Sequence, residues 1–319
     1  MSSPVADDMS RPSVHERVLI VSPVRNEADH ITVVARSMQR QTRPPDVWLV
    51  VDDGSDDATP ALVRQLAAEI PFMHALTSPD RFTDDNGDRL QVAAEARAFN
   101  WALATVELGD FDFIGKLDGD IELPDDYFER LLEEFAADPA LGIGGGTLVE
   151  LVGVQWRTMK TAQHHVRGAL KLYRDDCFAA IGGVRELLGW DGIDQTYAQM
   201  RGYKTRSFSH IVARHLRPCG SADGVLRGRV RHGEVYYVLG FSLLWTALKS
   251  VKYAAMRPRA ISGAAFLHGY LRASWRRMPR VEDVEYRRFV RGTERDRLRD
   301  GVRRLRPSRP CNTQPETTF

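Results

Sequence analysis

Phe111–Asp120 reads FDFIGKLDGD, a short apolar run that leads straight into two aspartates separated by one glycine. The run has the character of a parallel strand buried on both faces. Two carboxylates two residues apart, on a turn just past such a strand, can aim at one hard divalent cation, and Gly119 between them lets the backbone bend and come close to a ligand. Mg²⁺ or Mn²⁺ takes one or two carboxylates and fills its remaining positions with water and phosphate oxygens. That suits a leaving diphosphate, whose developing charge a cation neutralises. An acid-tipped turn looks the same in isolation; the order of elements around it separates the two readings.

Upstream, Val18–Val24 (VLIVSPV) is another apolar run, followed by a helical stretch from Asp29 to about Arg40 that Pro44-Pro45 closes. A second strand, Asp46–Val51, enters Asp52-Asp53-Gly54-Ser55-Asp56, and a helix is expected over Ala58–Ile70 with Asp56 or Asp57 as its cap. A strand near Phe72–Thr77, a polar loop over Ser78–Arg89 and a helix over Leu90–Val106 complete the approach to FDFIGKL. This β-α-β-α-β order predicts an α/β fold, a mostly parallel sheet with helices on both faces. Ligands of such sheets bind at the carboxyl ends of the strands. The acids gather there: Asp52 and Asp53 after one strand, Asp118 and Asp120 after another. Asp53 is placed to meet a ribose or a base.

Further on, a helix is expected over Asp125–Ala137, a strand over Leu141–Val152, mixed helix and loop over Thr158–Gly183, a helix over Ile193–Arg201, and a strand from Tyr203 leading to His215. Beyond Gly233 the pattern is helical to about Arg304, with apolar helices over Tyr236–Ala255 and Ala260–Trp275.

Four segments, VSPVRNEADHI, LVVDDGSDDAT, AEARAFNWAL and KLDGDIELPDDYFERLLEEF, stand in an order and spacing that resembles the family 2 glycosyltransferases of the GT-A fold, over about Val18–Phe208. The resemblance implies a Rossmann-like GT-A domain that takes a sugar from a nucleotide-diphosphate donor. It places Pro23, Arg25, Asn26 and Glu27 at the base or ribose, and Asp53 in the family's D-D-G-S motif. It also places Arg97 near the diphosphate, and Lys116, Asp118, Gly119 and Asp120 in the nucleotide- and metal-binding run, with Asp120 as metal ligand. Many members have Asn directly after the Arg, whereas Ala98-Phe99 separates Arg97 from Asn100 here. Trp190-Asp191-Gly192-Ile193-Asp194 with Arg201-Gly202-Tyr203 resembles the family's E-D motif and the R-x-x-G-Y that trails it, with Trp in place of Glu. Asp191 thereby takes the place of the catalytic base, which in an inverting transfer deprotonates the acceptor hydroxyl without a covalent enzyme intermediate. Otherwise Asp191 caps the helix after it, a role Asp194 fills equally well. His215 is a further candidate metal ligand or phosphate contact. Arg227, Arg229 and Arg231 form a basic run that either meets phosphate or lies in solvent. His164-His165 has no partner at metal-ligand spacing.

Composition bounds the rest. The chain has 319 residues, 43% hydrophobic and 27% charged, and a formal net charge of +1 that hides an asymmetry. Residues 257–319 carry 16 Arg and no Lys against 7 Asp and Glu. Arg-rich helices with Leu and aromatic residues, including Arg272, Arg276 and Arg277, suit either an anionic membrane surface or packing onto another part of the protein. Cys177, Cys219 and Cys311 are widely spaced, which argues against a disulfide framework or structural zinc and for a reducing compartment. The N-terminus has no apolar core of a signal peptide, and the most apolar stretch, Val235–Leu248, falls short of the roughly 20 residues that cross a bilayer.

The expected organisation is a disordered leader (1–16), a GT-A nucleotide-sugar-binding domain (17–220), a helical C-terminal extension (221–305) and a disordered tail (306–319). The expected partners are a nucleotide-diphosphate-sugar donor and a glycan or lipid-linked acceptor, with no nucleic acid, in the cytoplasm or at the inner face of the membrane. Two other enzyme classes fit less well. A nucleotidyltransferase would show a glycine-rich phosphate loop where Ser22–Glu27 has no glycine, and a haloacid-dehalogenase-type phosphatase would carry its aspartates after the first strand. A non-catalytic nucleotide- or glycan-binding scaffold of the same fold is the alternative from another class.

Overall fold

The computed structural model describes residues 16–79, 88–159, 162–217, 224–256 and 258–305. The expected tail, the leader apart from Glu16, most of the polar loop after Thr77, Cys219 and Cys311 lie outside these residues. Cys177 is a buried free thiol. The chain divides between Gly224 and Val225 into two compact units. The first carries 23 Lys and Arg against 35 Asp and Glu, the second 21 against 8.

The strands of the first unit are β1 (Val18–Val24), β2 (Val47–Asp52), β3 (Met73–Thr77), β4 (Phe113–Leu117), β5 (Ile121–Glu122), β6 (Leu141–Val152), β7 (Gln155–Thr158), β8 (Leu170–Arg174) and β9 (Lys204–His215). They form one sheet in the order β3-β2-β1-β4-β8-β6-β9-β5, with β7 paired to β6. From β3 to β4 the pairing is all parallel, with Val24 opposite Asp52 and Val21 opposite Lys116. That register sets the carboxyl ends of β1, β2 and β4 side by side. Strand β8 then runs antiparallel to β4, Leu170 opposite Leu117, and so brings the segment before it to the same end of the sheet. Strand β9 runs parallel to β6 and ends with His215 between Glu150 and Ile121.

Helices cover both faces. On one, α1 (Ile31–Gln39), α2 (Thr59–Glu69) and α4 (Tyr127–Ala137) bury Ile31, Val34, Met38, Leu66, Leu131 and Phe135 against Ile20, Trp48 and Phe113. Phe113 and Phe135 meet edge to face at 4.9 Å. On the other, Phe99 of α3 (Ala94–Leu103), Phe178 of α5 (Asp175–Ile181) and Tyr173 form an aromatic chain, and Ile193 of α6 (Trp190–Met200) is buried too. The central strands are largely apolar because both faces are covered, with Ser22, Lys116 and Lys171 buried among them.

Two elements of the first unit differ from the sequence reading. Thr158–Gly183 contains the strand β8 besides the expected helix, α5, and loop. The pattern LKLYR hides a strand because Lys171 is fully buried yet charged, its ammonium held by Asp194. The helix expected from Ile193 begins at Trp190, so Asp191 sits on its first turn.

The second unit consists of α7 (from Gly224 to Val238), α8 (Leu243–Ala254), α9 (Ile261–Trp275) and α10 (Val284–Leu305). The helix expected over Tyr236–Ala255 is broken, because Gly240 takes φ +77° and Ser242 caps α8 by accepting from the Trp245 amide at 3.0 Å. His232 packs among Tyr236, Tyr253 and Phe266, and buried Glu234 accepts from Arg272 Nε at 2.9 Å.

Trp48, fully buried with its indole N–H donating to Ser22 Oγ at 2.9 Å, locks β2 to β1. Trp48→Ala should cost about 3–5 kcal/mol of unfolding free energy in urea titration; a loss below about 1 kcal/mol would show that the sheet does not depend on this contact.

Candidate active site

The loops after β1, β2 and β4 enclose a cleft of about 210 Å³ whose walls include Pro23, Arg25, Glu27, Asp53, Asp118, Gly119 and Asp120. A Cβ on Gly119 would stand 2.7 Å from Val24 Cγ1 and 3.1 Å from the Glu27 side chain, so the close approach of this turn to β1 requires glycine. Asp53 is buried. Its Oδ2 pairs with Arg89, and its Oδ1 has no hydrogen-bond partner among the described residues. Arg25 gives one nitrogen to Asp56 at 3.3 Å, while its Nη1 is buried with no hydrogen-bond partner among the described residues. An unmet acceptor and an unmet donor in one cleft match a ligand carrying both hydroxyl or base donors and anionic oxygens.

Asn26 is used differently. It stands at φ +53°, a conformation Asn tolerates. Its backbone N–H donates to Ser55 Oγ at 3.0 Å and its Oδ1 accepts from the Asp56 amide at 2.9 Å. It therefore stitches the first loop to the second and is not among the residues lining the cleft. Asp57 is the acid that holds the first turn of α2, through the Thr59 amide at 2.9 Å.

Under the cleft floor, the Lys116 ammonium is 2% exposed and bonds to Glu95, to Asp118 and, at 3.1 Å, to the Gly168 carbonyl. Burial alone would lower this ammonium's pKa, yet the Asp118 and Glu95 carboxylates raise it. Burial would likewise lift Asp118, but Lys116 outweighs it and holds the carboxyl below its ordinary range. Glu95 is pushed up, by burial first and by the Asp118 charge second. Glu27, whose Oε2 accepts from Arg217 at 2.8 Å, is pushed up to about 8 by burial and then by the Asp120 charge. Four carboxylates, Glu27, Glu95, Asp118 and Asp120, thus crowd one end of the cleft, and each ionisation makes the next costlier.

His215 stands beside Asp120, and the two could hold a cation. His215 Nε2 lies 3.3 Å from Asp120 Oδ2, and its Nδ1 lies 2.8 Å from Glu150 Oε1. A carboxylate behind one ring nitrogen fixes the other as a lone pair, the arrangement that supports metal-binding histidines. Among the described residues no three His, Cys, Asp or Glu side chains converge on one point. The residues present therefore fit an ion that takes two protein ligands and completes its shell with phosphate oxygens and water, as Mg²⁺ and Mn²⁺ do.

Asp191 is brought near by Gly168. A Cβ there would come within 3.1 Å of both Asp191 Cβ and the Trp190 ring, while the Gly168 carbonyl accepts from Lys116. Trp190 lies under two ammoniums, Lys116 at 5.3 Å and Lys171 at 5.2 Å. The Asp191 carboxylate is half-buried and has no hydrogen-bond partner among the described residues; its backbone carbonyl accepts from Lys171 at 2.6 Å. Asp194, which the sequence offers as a cap, is fully enclosed instead. It takes Lys171 at 2.7 and 2.9 Å and the Tyr173 hydroxyl at 2.5 Å. The α6 N-cap is Gly189, so neither aspartate caps by side chain. Gln195 Nε2, which donates to the Asp191 carbonyl, also lies 3.2 Å from His165 Nδ1.

Arg97 points elsewhere. It stands on α3 with Nε 3.8 Å from Glu186, while Asn100 donates to the Val184 carbonyl at 2.9 Å and to Glu186 at 3.2 Å. The pair fastens the loop before α6, and Glu95 and Arg89 occupy the cleft instead. Glu95 was visible two residues before Arg97 in AEARAFN. Glu150 and Arg89 carry no local signal, since each matters through a partner at least 36 residues away, and Gln195 joins its neighbour Asp191 to Val166, 29 residues back. Arg227, Arg229 and Arg231 lie on α7 of the second unit, where Arg229 packs over Tyr253 at 4.7 Å.

A GT-A sheet with acidic strand ends defines a class of nucleotide-sugar-binding folds, and sequence comparison agrees. Residues 19–183 match Glycosyl transferase family 2, and the chain belongs to that family. The succinoglycan biosynthesis protein ExoA of Rhizobium meliloti is 30% identical over 192 residues, 53% of this chain and 53% of that protein, so the chain spans about half the length of this relative. Among solved structures, a mannosyltransferase of Pyrobaculum calidifontis, PcManGT, in complex with GDP-Man and Mn²⁺, superposes with a TM-score of 0.53 at 18% identity over 91% of this chain and 81% of that one. S. aureus TarS 1–349 in complex with UDP-GlcNAc gives 0.52 at 14% identity over 82% and 73%. These likenesses establish the GT-A fold.

The two aspartates of α6 separate by stability. Asp194→Ala, which strands the Lys171 ammonium in the core, should cost about 3–5 kcal/mol in denaturant unfolding. Asp191→Ala should cost less than about 1 kcal/mol. Equal losses would contradict the division of roles.

Proposed function

We propose that this chain is a metal-dependent, inverting glycosyltransferase that moves a sugar from a nucleoside-diphosphate donor to a hydroxyl of a glycan or lipid-linked acceptor in cell-surface polysaccharide or glycolipid synthesis. The observation that carries the reading is the gathering of Arg25, Glu27, Asp53, Asp118 and Asp120 around one cleft at the carboxyl ends of three strands. The relative named for succinoglycan biosynthesis and the neighbours holding GDP-Man and UDP-GlcNAc support the pathway and donor class.

In this account Asp53 accepts from the base or ribose through Oδ1, and Pro23 and Arg25 border the same part of the cleft. Asp118, kept ionised by Lys116, orients the donor. Asp120 and His215 would hold Mg²⁺ or Mn²⁺, which would supply positive charge to the departing diphosphate. Asp191 accepts the proton of the acceptor hydroxyl as that oxygen bonds to the anomeric carbon; the bond from that carbon to the diphosphate oxygen breaks, and the nucleoside diphosphate leaves with the electron pair. A single base acting this way gives inversion. The unpartnered Asp191 carboxylate supports the assignment, because a base held in an ion pair like that of Asp194 would be unavailable.

The second unit is assigned to the cytoplasmic face of a membrane. No helix among the described residues is long and apolar enough to cross one. Yet α8 exposes Leu244 (65%), Leu248 and Val251 (70%) at helical spacing, and α9 exposes Ile261, Leu271 and Trp275 (84%) with Arg276 and Arg277 beside the tryptophan. Apolar stripes flanked by cations are what an interfacial helix presents to anionic lipid.

Calorimetry with a panel of nucleoside diphosphates and their sugar conjugates, with and without Mn²⁺, tests the reading. Wild type should bind one nucleotide in a metal-dependent way, and Asp120→Asn should lose that dependence. Asp191→Asn should keep donor affinity while turnover falls about 10²–10⁴-fold. A turning-over Asp191→Asn variant, or unchanged Mn²⁺ dependence in Asp120→Asn, would overturn the corresponding role.

A further inference from the structure

A second hollow, of about 530 Å³, lies in the same unit and is used by none of the roles above. It is within the roughly 300–1,000 Å³ of small-ligand sites. Its walls combine Trp156 of β7, Val149 of β6, Val212 and Arg214 of β9, Glu122 of β5, and Arg40 and Asp125. The sheet register fixes its position. Arg214 stands opposite Glu122 and Val149, whereas the next residue, His215, stands opposite Ile121 and Glu150. Successive side chains of a strand point to opposite faces. The hollow is therefore back to back with the His215–Glu150 pair, on the reverse of the same strand ends, and Trp156, opposite Leu151, shares its face with Val149.

We infer that this hollow is a glycan-binding subsite, one that holds a pyranose of the acceptor chain away from the reacting hydroxyl. A pyranose offers a flat face of C–H groups and a rim of hydroxyls. The indole of Trp156, 42% exposed, supplies an apolar platform for the first. Two ion pairs supply fixed donors and acceptors for the second: Arg214 to Glu122 at 3.4 Å and Arg40 to Asp125 at 3.0 Å. Arg214 also lies over Trp156 at 5.3 Å, which steadies both groups. Two guanidiniums balanced by two carboxylates leave no net charge to recruit a nucleotide or an anionic lipid, which sets this site apart from the acidic cleft. Strand β5 ends the sheet here.

The inference rests on the glycan-acceptor reading, and its test keeps the two apart. The full chain would be titrated with four-residue gluco- and galacto-oligosaccharides while indole N–H resonances are followed by NMR, and Mn²⁺–nucleoside diphosphate affinity would be measured on the same samples. At least one oligosaccharide should shift the Trp156 resonance. Trp156→Ala should weaken that sugar's binding about tenfold or more, Trp156→Tyr should restore most of it, and nucleotide affinity should be unchanged in both. No Trp156 shift with any of these sugars, or wild-type sugar affinity in Trp156→Ala, overturns the proposal. So does a dimer that Trp156→Ala converts to monomer without change in sugar affinity, which would give the hollow to a second copy of the chain. Loss of nucleotide binding in wild type would instead strike the donor reading and leave the sugar result to stand by itself.

Discussion

The buried ammonium of Lys116 is the constraint on which the site depends. An amine at 2% exposure persists as a cation only with anionic company, and here that company is drawn from three elements: Asp118 at the end of β4, Glu95 on α3, and the Gly168 carbonyl ahead of β8. One charge thus gathers the turn that carries both aspartates, the helix beside it and the segment that abuts Asp191. It also divides labour between the two aspartates. Asp118 is neutralised from beneath and kept ionised, while Asp120, two residues on, turns to His215.

Lys171 repeats the device one strand over. It is fully enclosed, takes both oxygens of Asp194 and the Asp191 carbonyl, and shares the Trp190 ring with Lys116. Two buried lysines on neighbouring antiparallel strands therefore fix the first turn of α6 from below. This leaves the Asp191 carboxylate on that turn while consuming the one on Asp194. Breaking either pair would leave an uncompensated interior charge, which is far more damaging than losing a surface contact.

Legibility in the sequence followed the range of the forces involved. The strands through β4 could be read because continuous apolar runs bounded by turn residues have few other solutions, and β1 and β6 fall where the pattern put them. The carboxylates of the cleft were legible for a related reason, since chain order alone places them at strand ends. Strand β8 was missed because its lysine, Lys171, reads as exposed until Asp194, 23 residues later, is known to meet it. The break before α8 was missed because Leu239–Phe241 is apolar enough to continue a helix, and only the positive φ of Gly240 and the Ser242 cap end it. Arg97 illustrates the limit of motif transfer. On α3 its Nε stands 3.8 Å from Glu186, and the cleft is lined by Arg89 and Glu95 instead.

The central claim is that the end of β4 assigns one aspartate to a lysine and leaves the other, with His215, where the two would hold a cation. Crystals grown with Mn²⁺ and the preferred nucleoside diphosphate, measured at the manganese absorption edge, address it directly. The account predicts one anomalous peak bounded by Asp120, His215 and the diphosphate, with Lys116 still on Asp118. A peak held by Asp118 and Glu95 with Lys116 displaced, or ordered nucleotide in the cleft with no peak at all, would contradict it.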